Sequence, residues 1–145
     1  MQDLIKLTLT VHSVIDNLDA EGMPEGEPEI NIFTTDGTLG VSEGEYILSF
    51  TESDENGTVR SDVYVSAESV TLKKSGAINS EMRFIEGKSY NSLYRVGPYS
   101  FDMRVVTKKI RNTLTDMGGE LQLIYSMCIG GMNKNARMKI TAKRK

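Results

Sequence analysis

The stretch that decides the fold is Leu121-Gln122-Leu123-Ile124-Tyr125-Ser126-Met127-Cys128-Ile129. All of its odd-numbered positions are apolar or aromatic. The stretch from Tyr99 to Val105 alternates in the same way, with polar residues at its even positions. A period of two is typical of a strand that buries one face. The sequence therefore predicts a strand in each place, with one face of each strand turned toward a core.

The same period extends over the rest of the chain and predicts about ten short strands. The first covers about 4–15, where apolar residues recur at odd positions from Ile5 onward. Turn signals, most of them with glycine, separate the later strands at 42–45, 54–57, 74–76, 86–88 and 97–98. Asn56-Gly57 is the clearest signal, because both residues tolerate the positive φ angles of a two-residue hairpin turn.

These strands predict an all-β fold in which residues 1–145 form a single domain. The expected architecture is one antiparallel meander closed into a barrel of about 8–10 strands, with a sandwich as the alternative. Closure removes the exposed strand edges that so many strands would otherwise present.

One segment departs from the period because it is acidic and rich in turn-forming residues. Residues 16–29 contain six acids, two glycines and two prolines, with little apolar content. Such a composition does not build regular structure. The sequence therefore predicts a flexible, solvated loop over 16–29.

A second segment, 108–117, is compatible with two structures. Ile110, Leu114 and Met117 have helical spacing, and Gly118 follows at the position of a helix C-cap. The alternative is a strand whose inward face switches between Val105 and Val106 at a bulge, as happens where a barrel strand bends. The sequence leaves both open.

Composition excludes several classes of protein. The chain has one cysteine, Cys128, and one histidine, His12, so we expect no intramolecular disulfide, no His-rich metal site and no cofactor. No apolar run approaches the roughly 20 residues needed to span a bilayer, and the first residues lack the pattern of a signal peptide. We therefore expect no membrane partner and a location in the reducing cytoplasm.

No motif predicts catalysis. Glu86-Gly87-Lys88-Ser89 resembles the end of a phosphate-binding loop, but Met82 stands where the first glycine of that motif belongs. The acids around Asp54 resemble the opening of a calcium loop, but Val63 stands where the closing acid belongs. A hairpin turn explains both segments, and the sequence predicts a protein that is not an enzyme.

Several segments together resemble a known family. They are Tyr94-Arg95-Val96-Gly97-Pro98-Tyr99-Ser100-Phe101, Val106-Thr107, Gly118-Gly119-Glu120-Leu121-Gln122-Leu123-Ile124-Tyr125 and Met138-Lys139-Ile140. The chain is similar in these residues, and from Ile30 to Phe50, to the YwiB-like family of small bacterial proteins of unknown function. The resemblance covers nearly the whole chain and implies a calycin-like, lipocalin-like barrel with no catalytic residues to carry over.

The candidate site is the inside of the predicted barrel. The aromatic and methionine residues that fall on inward positions are Tyr46, Phe50, Tyr99, Phe101, Met103, Tyr125 and Met127. They form either the lining of a pocket or a filled core. Arg104 is added as a candidate because an arginine inside a barrel would need an anionic ligand. The resulting hypothesis is a binder of a small, partly apolar or anionic molecule.

The charge distribution suggests a different function. Residues 1–59 carry 13 acids and one base, whereas residues 60–145 carry 16 bases and seven acids. From Arg104 to Lys145 there are ten bases and two acids, so the alternative is a module that binds protein or RNA through the basic C-terminal strands. Two accounts of the charges stay open: pairing of acids with bases across strands, or a surface with one acidic and one basic pole. The oligomeric state is not predicted.

Overall fold

Alternating side chains give each strand one apolar face, and ten such strands bury those faces together by closing into a barrel. A computed structural model describes residues 4–145. The strands are β1 (Ile5–Asn17), β2 (Glu29–Ser42), β3 (Glu45–Asp54), β4 (Gly57–Val65), β5 (Val70–Gly76), β6 (Ile78–Phe84), β7 (Ser89–Val96), β8 (Tyr99–Asn112), β9 (Gly118–Ile129) and β10 (Met132–Arg144). Each strand pairs antiparallel with the next, and β1 pairs with β10 to close the barrel. This confirms the predicted closed meander of 8–10 strands, and it is consistent with a calycin-like barrel.

The two ends of the barrel differ in chemistry. One end, which we call the mouth, carries the connections at 18–28, 55–56, 77, 97–98 and 130–131. The half away from the mouth is filled by apolar side chains with almost no exposure, among them Leu7, Leu9, Leu39, Leu48, Val63, Val65, Val70, Phe84, Val105, Leu121 and Ile140. Burial of each such side chain stabilises the fold by about 1.5–3 kcal/mol. The core therefore lies in the half opposite the mouth.

Two neighbouring pairs of strands separate over part of their length. β2 pairs with β3 only from Gly37 to Ser42, so the segment 29–36 has β1 on one side and no strand on the other. β6 pairs with β7 through only three residue pairs, from Ile78–Val96 to Ser80–Tyr94. At these two places neighbouring strands of the wall are consequently not joined by strand pairing.

The acidic loop is shorter than predicted. Asp16 and Asn17 belong to β1, and Glu29 belongs to β2, because strand pairing continues through them. Backbone hydrogen bonds also organise the loop: Leu18 N donates to Asn133 O at 3.0 Å, and Asp19 N donates to Met23 O at 2.8 Å. The connection is therefore 18–28, and its flexibility stays a prediction.

Residues 108–112 continue as a strand, so the helical alternative is wrong. The inward face does switch at a bulge, but the register shifts between Thr107 and Lys109 and not between Val105 and Val106. Among residues 4–145 there is no helix, and therefore none long and apolar enough to cross a membrane.

Two of the predicted turns differ in detail. The turn predicted at 74–76 is wrong, because β5 continues through Gly76 and the chain reverses at Ala77. The hairpin at 54–57 is present, but its two central residues are Glu55 and Asn56, so Gly57 begins β4. The hairpin at 42–45 is confirmed, with positive φ angles of 44° at Glu43 and 80° at Gly44.

Candidate ligand site at the barrel mouth

One ring of inward-facing residues crosses five adjoining strands near the mouth. Strand register places Phe50 opposite Ser61, Ser61 opposite Lys74, Lys74 opposite Ser80 and Ser80 opposite Tyr94. Residues directly opposite each other in a sheet share a face, with Cβ atoms about 4.5–5.5 Å apart. The ring therefore brings a lysine and two serine hydroxyls together on the inner wall.

Lys74 is a basic group on an inward face. Val70 and Leu72, which alternate with it along β5, are 1 % and 2 % exposed and belong to the core. No carboxylate of residues 4–145 lies within 4 Å of its ammonium group. Desolvation by burial lowers the pKa of Lys74, and the charge of Glu52 only partly opposes that effect. A partly desolvated ammonium without a close counterion is costly to the folded state.

The two serines beside Lys74 are also without partners. Ser61 is fully buried, and neither its Oγ nor the Oγ of Ser80 has a hydrogen-bond partner within residues 4–145. The inward-facing Ser92 and Thr107 have unpaired buried hydroxyls as well. Buried polar atoms are normally hydrogen-bonded, so a cluster of unpaired ones is unusual in a folded domain.

Aromatic side chains flank this polar group. Phe50 packs against Phe33 with the ring centroids 6.1 Å apart, and Tyr94 adjoins Ser80 on the other side. Burial raises the pKa of the Tyr94 hydroxyl above its ordinary value of 10.0. The ring thus offers one positive charge, hydroxyl groups and apolar walls, which together suit an anionic group attached to an apolar body.

The structure separates the predicted site residues into three groups. Tyr46, Phe50, Met103, Tyr125 and Met127 face inward and are buried or partly buried. Tyr99 and Phe101 share that face, but they extend beyond the core toward the mouth and are 66 % and 41 % exposed. Arg104 faces outward, so its prediction as a barrel-lining residue is wrong.

The alternation of β8 explains the position of Arg104. It lies between Met103 and Val105, whose side chains are 3 % and 0 % exposed, so its own side chain must take the opposite face. On the outside of the barrel it lies opposite Asn91 on β7 and Cys128 on β9.

Arg104 belongs to a groove on the outer surface. The groove has a volume of about 790 Å³ and crosses β7, β8, β9 and β10 beside the 18–28 connection. Its polar lining includes Asn91, Arg104, Ser126, Asn133 and Asn135. Ser126 and Asn135 bond to each other at 3.0 Å across the two strands. The single cysteine, Cys128, also lies in this groove.

Sequence reasoning missed Lys74, Ser61 and Ser80. The signal for Lys74 was present, because Val70, Leu72 and Lys74 continue one alternation. It was hidden by the interpretation of 74–76 as a turn. Ser61 likewise sits in the inward series with Val59, Val63 and Val65. Nothing in the sequence predicts that its hydroxyl has no partner, since that depends on the strands across the barrel.

Comparison with known proteins gives relatives over the whole barrel. The chain is 29 % identical over 130 residues to the uncharacterized beta-barrel protein YwiB of Bacillus subtilis (strain 168), which covers 90 % of this chain and 87 % of that protein. The crystal structure of the ywiB protein from Bacillus subtilis superimposes with a TM-score of 0.86 at 28 % identity, covering 99 % of this chain and 95 % of that one. Both findings confirm the resemblance predicted from the sequence. The family described as domain of unknown function (DUF1934) matches residues 19–141, and the chain therefore belongs to that family.

Proposed function

We propose that this protein is a non-enzymatic binder of a small anionic molecule with an apolar body, held at the barrel mouth by Lys74. The single observation that carries the proposal is the inward-facing Lys74, which lies opposite Ser61 and Ser80 on the neighbouring strands, with both serine hydroxyls unpaired within residues 4–145. An anion bound there would give the lysine a counterion and the hydroxyls an acceptor. A charge-assisted hydrogen bond of this kind contributes about 1.5–3 kcal/mol.

The surroundings favour an amphipathic ligand over a bare inorganic anion. Phe33 packs against Phe50 at the β3 end of the inward-facing ring of residues, and Met103 and Met127 lie on the inner wall across the barrel. Polarizable thioether and aromatic groups accommodate apolar ligands of irregular shape. The ligand class is therefore an organic carboxylate, sulfonate or phosphate with an aromatic or alkyl portion.

The proposal can be tested with a pair of fluorescent probes. The first is 8-anilinonaphthalene-1-sulfonate, which combines a sulfonate with apolar rings, and the second is N-phenyl-1-naphthylamine, which has the same rings without the charge. We expect the sulfonate probe to bind the wild-type protein, and Lys74→Met to weaken that binding by about tenfold or more. The uncharged probe should bind the two proteins equally.

Lys73 provides a matched control on the same strand. It is the preceding residue and faces outward, where its Nζ lies 3.6 Å from Glu81 Oε1. Lys73→Met removes the same charge from β5 but from its outer face, so it should leave the affinity for the sulfonate probe unchanged. Equal loss in both variants, or no difference between wild type and Lys74→Met in a variant that keeps its far-ultraviolet circular dichroism, would refute the proposal.

A second candidate function rests on a basic array outside the barrel. Strand register places Lys109 and Arg137 on either side of Ile124, and it places Arg111 and Lys139 on either side of Gln122. Of these four cations only Lys139 has a carboxylate within 4 Å among residues 4–145, with Glu120 at 3.5 Å. Four cations on β8 and β10, the two strands that flank β9, suit a polyanion such as RNA.

Fluorescence anisotropy with a labelled single-stranded RNA tests this second candidate. Binding should fall steeply between about 50 and about 200 mM salt, since phosphate contacts release counterions. Replacing Lys109, Arg111 and Arg137 by alanine should weaken binding. Replacing Lys73, Lys88 and Arg95 by alanine removes the same charge elsewhere and should have little effect. Equal effects of the two triple variants would mean that RNA binds by nonspecific charge attraction and not through this array.

A further inference from the structure

The first half of β2 presents an open strand edge. Residues 29–36 pair with β1 from Ile15–Glu29 to Thr8–Asp36, but pairing with β3 begins only at Gly37. No other backbone segment of residues 4–145 donates to or accepts from this edge. The side of the segment that faces away from β1 therefore offers backbone N–H and C=O groups at alternate residues, over roughly 25 Å.

The side chains along this edge lack the usual protection against pairing. The six residues from Ile30 to Thr35 carry no charge and no proline, and the outward Ile30 and Ile32 are 61 % and 60 % exposed. Edge strands are ordinarily protected by lysines, prolines or bulges, because an unprotected edge accepts another strand. The other open edges of the barrel are the end of β3 beyond Phe50 and the parts of β6 and β7 that separate from each other.

The charges around the edge select the chemistry of a partner. Glu29 and Asp36 bound the open segment, and Asp54 and Glu55 lie at the end of β3, from which β2 has separated. The 18–28 connection, with acids at positions 19, 21, 25 and 27, leads into Glu29 but packs against the β9–β10 hairpin on the other side of β1. Within residues 4–145 the Asp36 carboxylate is the only one of these acidic groups in an ion pair, with Lys145.

We propose that the edge of β2 from Glu29 to Asp36 binds an extended basic segment of another protein as an added β-strand. Main-chain hydrogen bonds to the open edge supply affinity, and the surrounding carboxylates select lysine and arginine over acidic side chains. A second copy of this chain is disfavoured, since pairing two such edges would bring two acidic surroundings together. This proposal is independent of the ligand site at Lys74.

The test uses a synthetic peptide of about ten residues in which lysine alternates with valine. Its control has the same sequence and charge but carries N-methyl groups on alternate residues, which removes the donors needed for a strand pairing. We expect the unmodified peptide to bind and to slow the hydrogen exchange of amides in 29–36, and the methylated peptide to bind at least tenfold more weakly. Equal binding of the two peptides would overturn the proposal.

A pair of protein variants locates the binding. Ile32→Lys places a charge on the outward face of the open edge of β2, whereas Leu93→Lys places one on an outward apolar position of β7, in the segment that pairs with β8 and has no partner on β6. Ile32→Lys should weaken peptide binding at least tenfold, and Leu93→Lys should not. Sedimentation without peptide tests for a dimer. If a dimer forms and Ile32→Lys abolishes it, the edge binds a second copy of this chain, and the proposal of a basic partner is refuted.

Discussion

Lys73 and Lys74 are consecutive lysines whose side chains lie on opposite sides of the barrel wall. Lys73 Nζ lies 3.6 Å from Glu81 Oε1 and 5.3 Å from the centroid of the Tyr64 ring, on the outer face. Lys74 lies opposite Ser61 and Ser80 on the inner face, without a close carboxylate. The same residue type thus occurs in a solvated and in a desolvated environment one position apart, so each lysine is a control for the other.

Lys74→Met should increase the stability of the unliganded protein. The substitution keeps an unbranched side chain, shorter by the terminal ammonium, and removes a charge that has no close counterion, so we expect the free energy of unfolding to rise by about 1–3 kcal/mol. Lys73→Met should change it by less than about 1 kcal/mol, because exposed ion pairs contribute little. Urea unfolding of the three proteins measures the difference. A loss of stability in Lys74→Met would mean that Glu52 compensates the charge.

The stability contributed by Lys74 should depend on pH in a defined direction. Its pKa in the folded protein is lowered below the ordinary 10.5 by desolvation. Between the lowered pKa of the folded protein and the ordinary 10.5 of the unfolded chain, the folded state binds fewer protons than the unfolded chain. The free energy of unfolding therefore rises with pH across that window. Below the window the cost of the buried charge is constant and complete. Subtracting the pH profile of Lys74→Met from that of the wild type isolates this rise, and a flat difference would contradict it.

Ser61→Ala and Ser126→Ala should affect stability in opposite directions. The Ser61 hydroxyl is buried without a partner, so its removal should be neutral or stabilise the fold by up to about 1 kcal/mol. The Ser126 hydroxyl bonds to Asn135 Oδ1 at 3.0 Å, so its removal should cost about 1 kcal/mol. Thermal unfolding of both variants gives the comparison. A large loss in Ser61→Ala would show that its hydroxyl has a structural partner, such as a buried water.

The sequence predicts the strands of this protein well because period-two alternation is a local property. The burial of Leu121, Leu123 and Tyr125 follows directly from it, as does the closed meander. Alternation also orients Arg104 away from the core once Met103 and Val105 are known to be buried. The prediction of Arg104 inside the barrel is wrong because an inward arginine at this position would break the alternation with Met103 and Val105.

Other features depend on contacts between distant residues, and no local pattern predicts them. Tyr99 and Phe101 have the correct phase for the interior, but exposure depends on how far β8 extends beyond its neighbours toward the mouth. Ion pairing between the acidic residues 1–59 and the basic residues 60–145 also depends on contacts between distant residues. Of the ion pairs within residues 4–145, only Lys145–Asp36 joins these two parts of the chain. Ion pairs across strands therefore account for little of the opposite charge of these two parts of the chain.

Tyr125 should titrate last among the tyrosines and limit stability at high pH. Desolvation raises the pKa of its buried hydroxyl from the ordinary 10.0 to about 12. Above pH 10 the unfolded chain releases this proton before the folded protein does, so the free energy of unfolding falls by about 2–3 kcal/mol as pH rises through about 12. Tyr125→Phe should lack this part of the fall. Ultraviolet absorbance of the folded protein near 295 nm follows the titration, and a normal pKa for every tyrosine would contradict the prediction.

Gly119→Ala should be far more destabilising than Gly131→Ala. A Cβ at Gly119 would lie 2.4 Å from the backbone oxygen of Thr113, and its φ of 132° is unfavourable for any other residue. The adjoining backbone is fixed, since Thr113 N donates to Glu120 O at 2.9 Å, so the clash cannot be relieved without breaking the turn that begins β9. At Gly131 nothing lies within 4 Å of a Cβ, and the cost is limited to the positive φ of 83°, about 1 kcal/mol. We expect Gly119→Ala to cost more than about 3 kcal/mol, measured by urea unfolding, because strain and steric overlap act together there. Similar costs at the two positions would mean that the 113–119 turn adjusts freely, and that the pairing of β8 with β9 does not depend on the geometry of this turn.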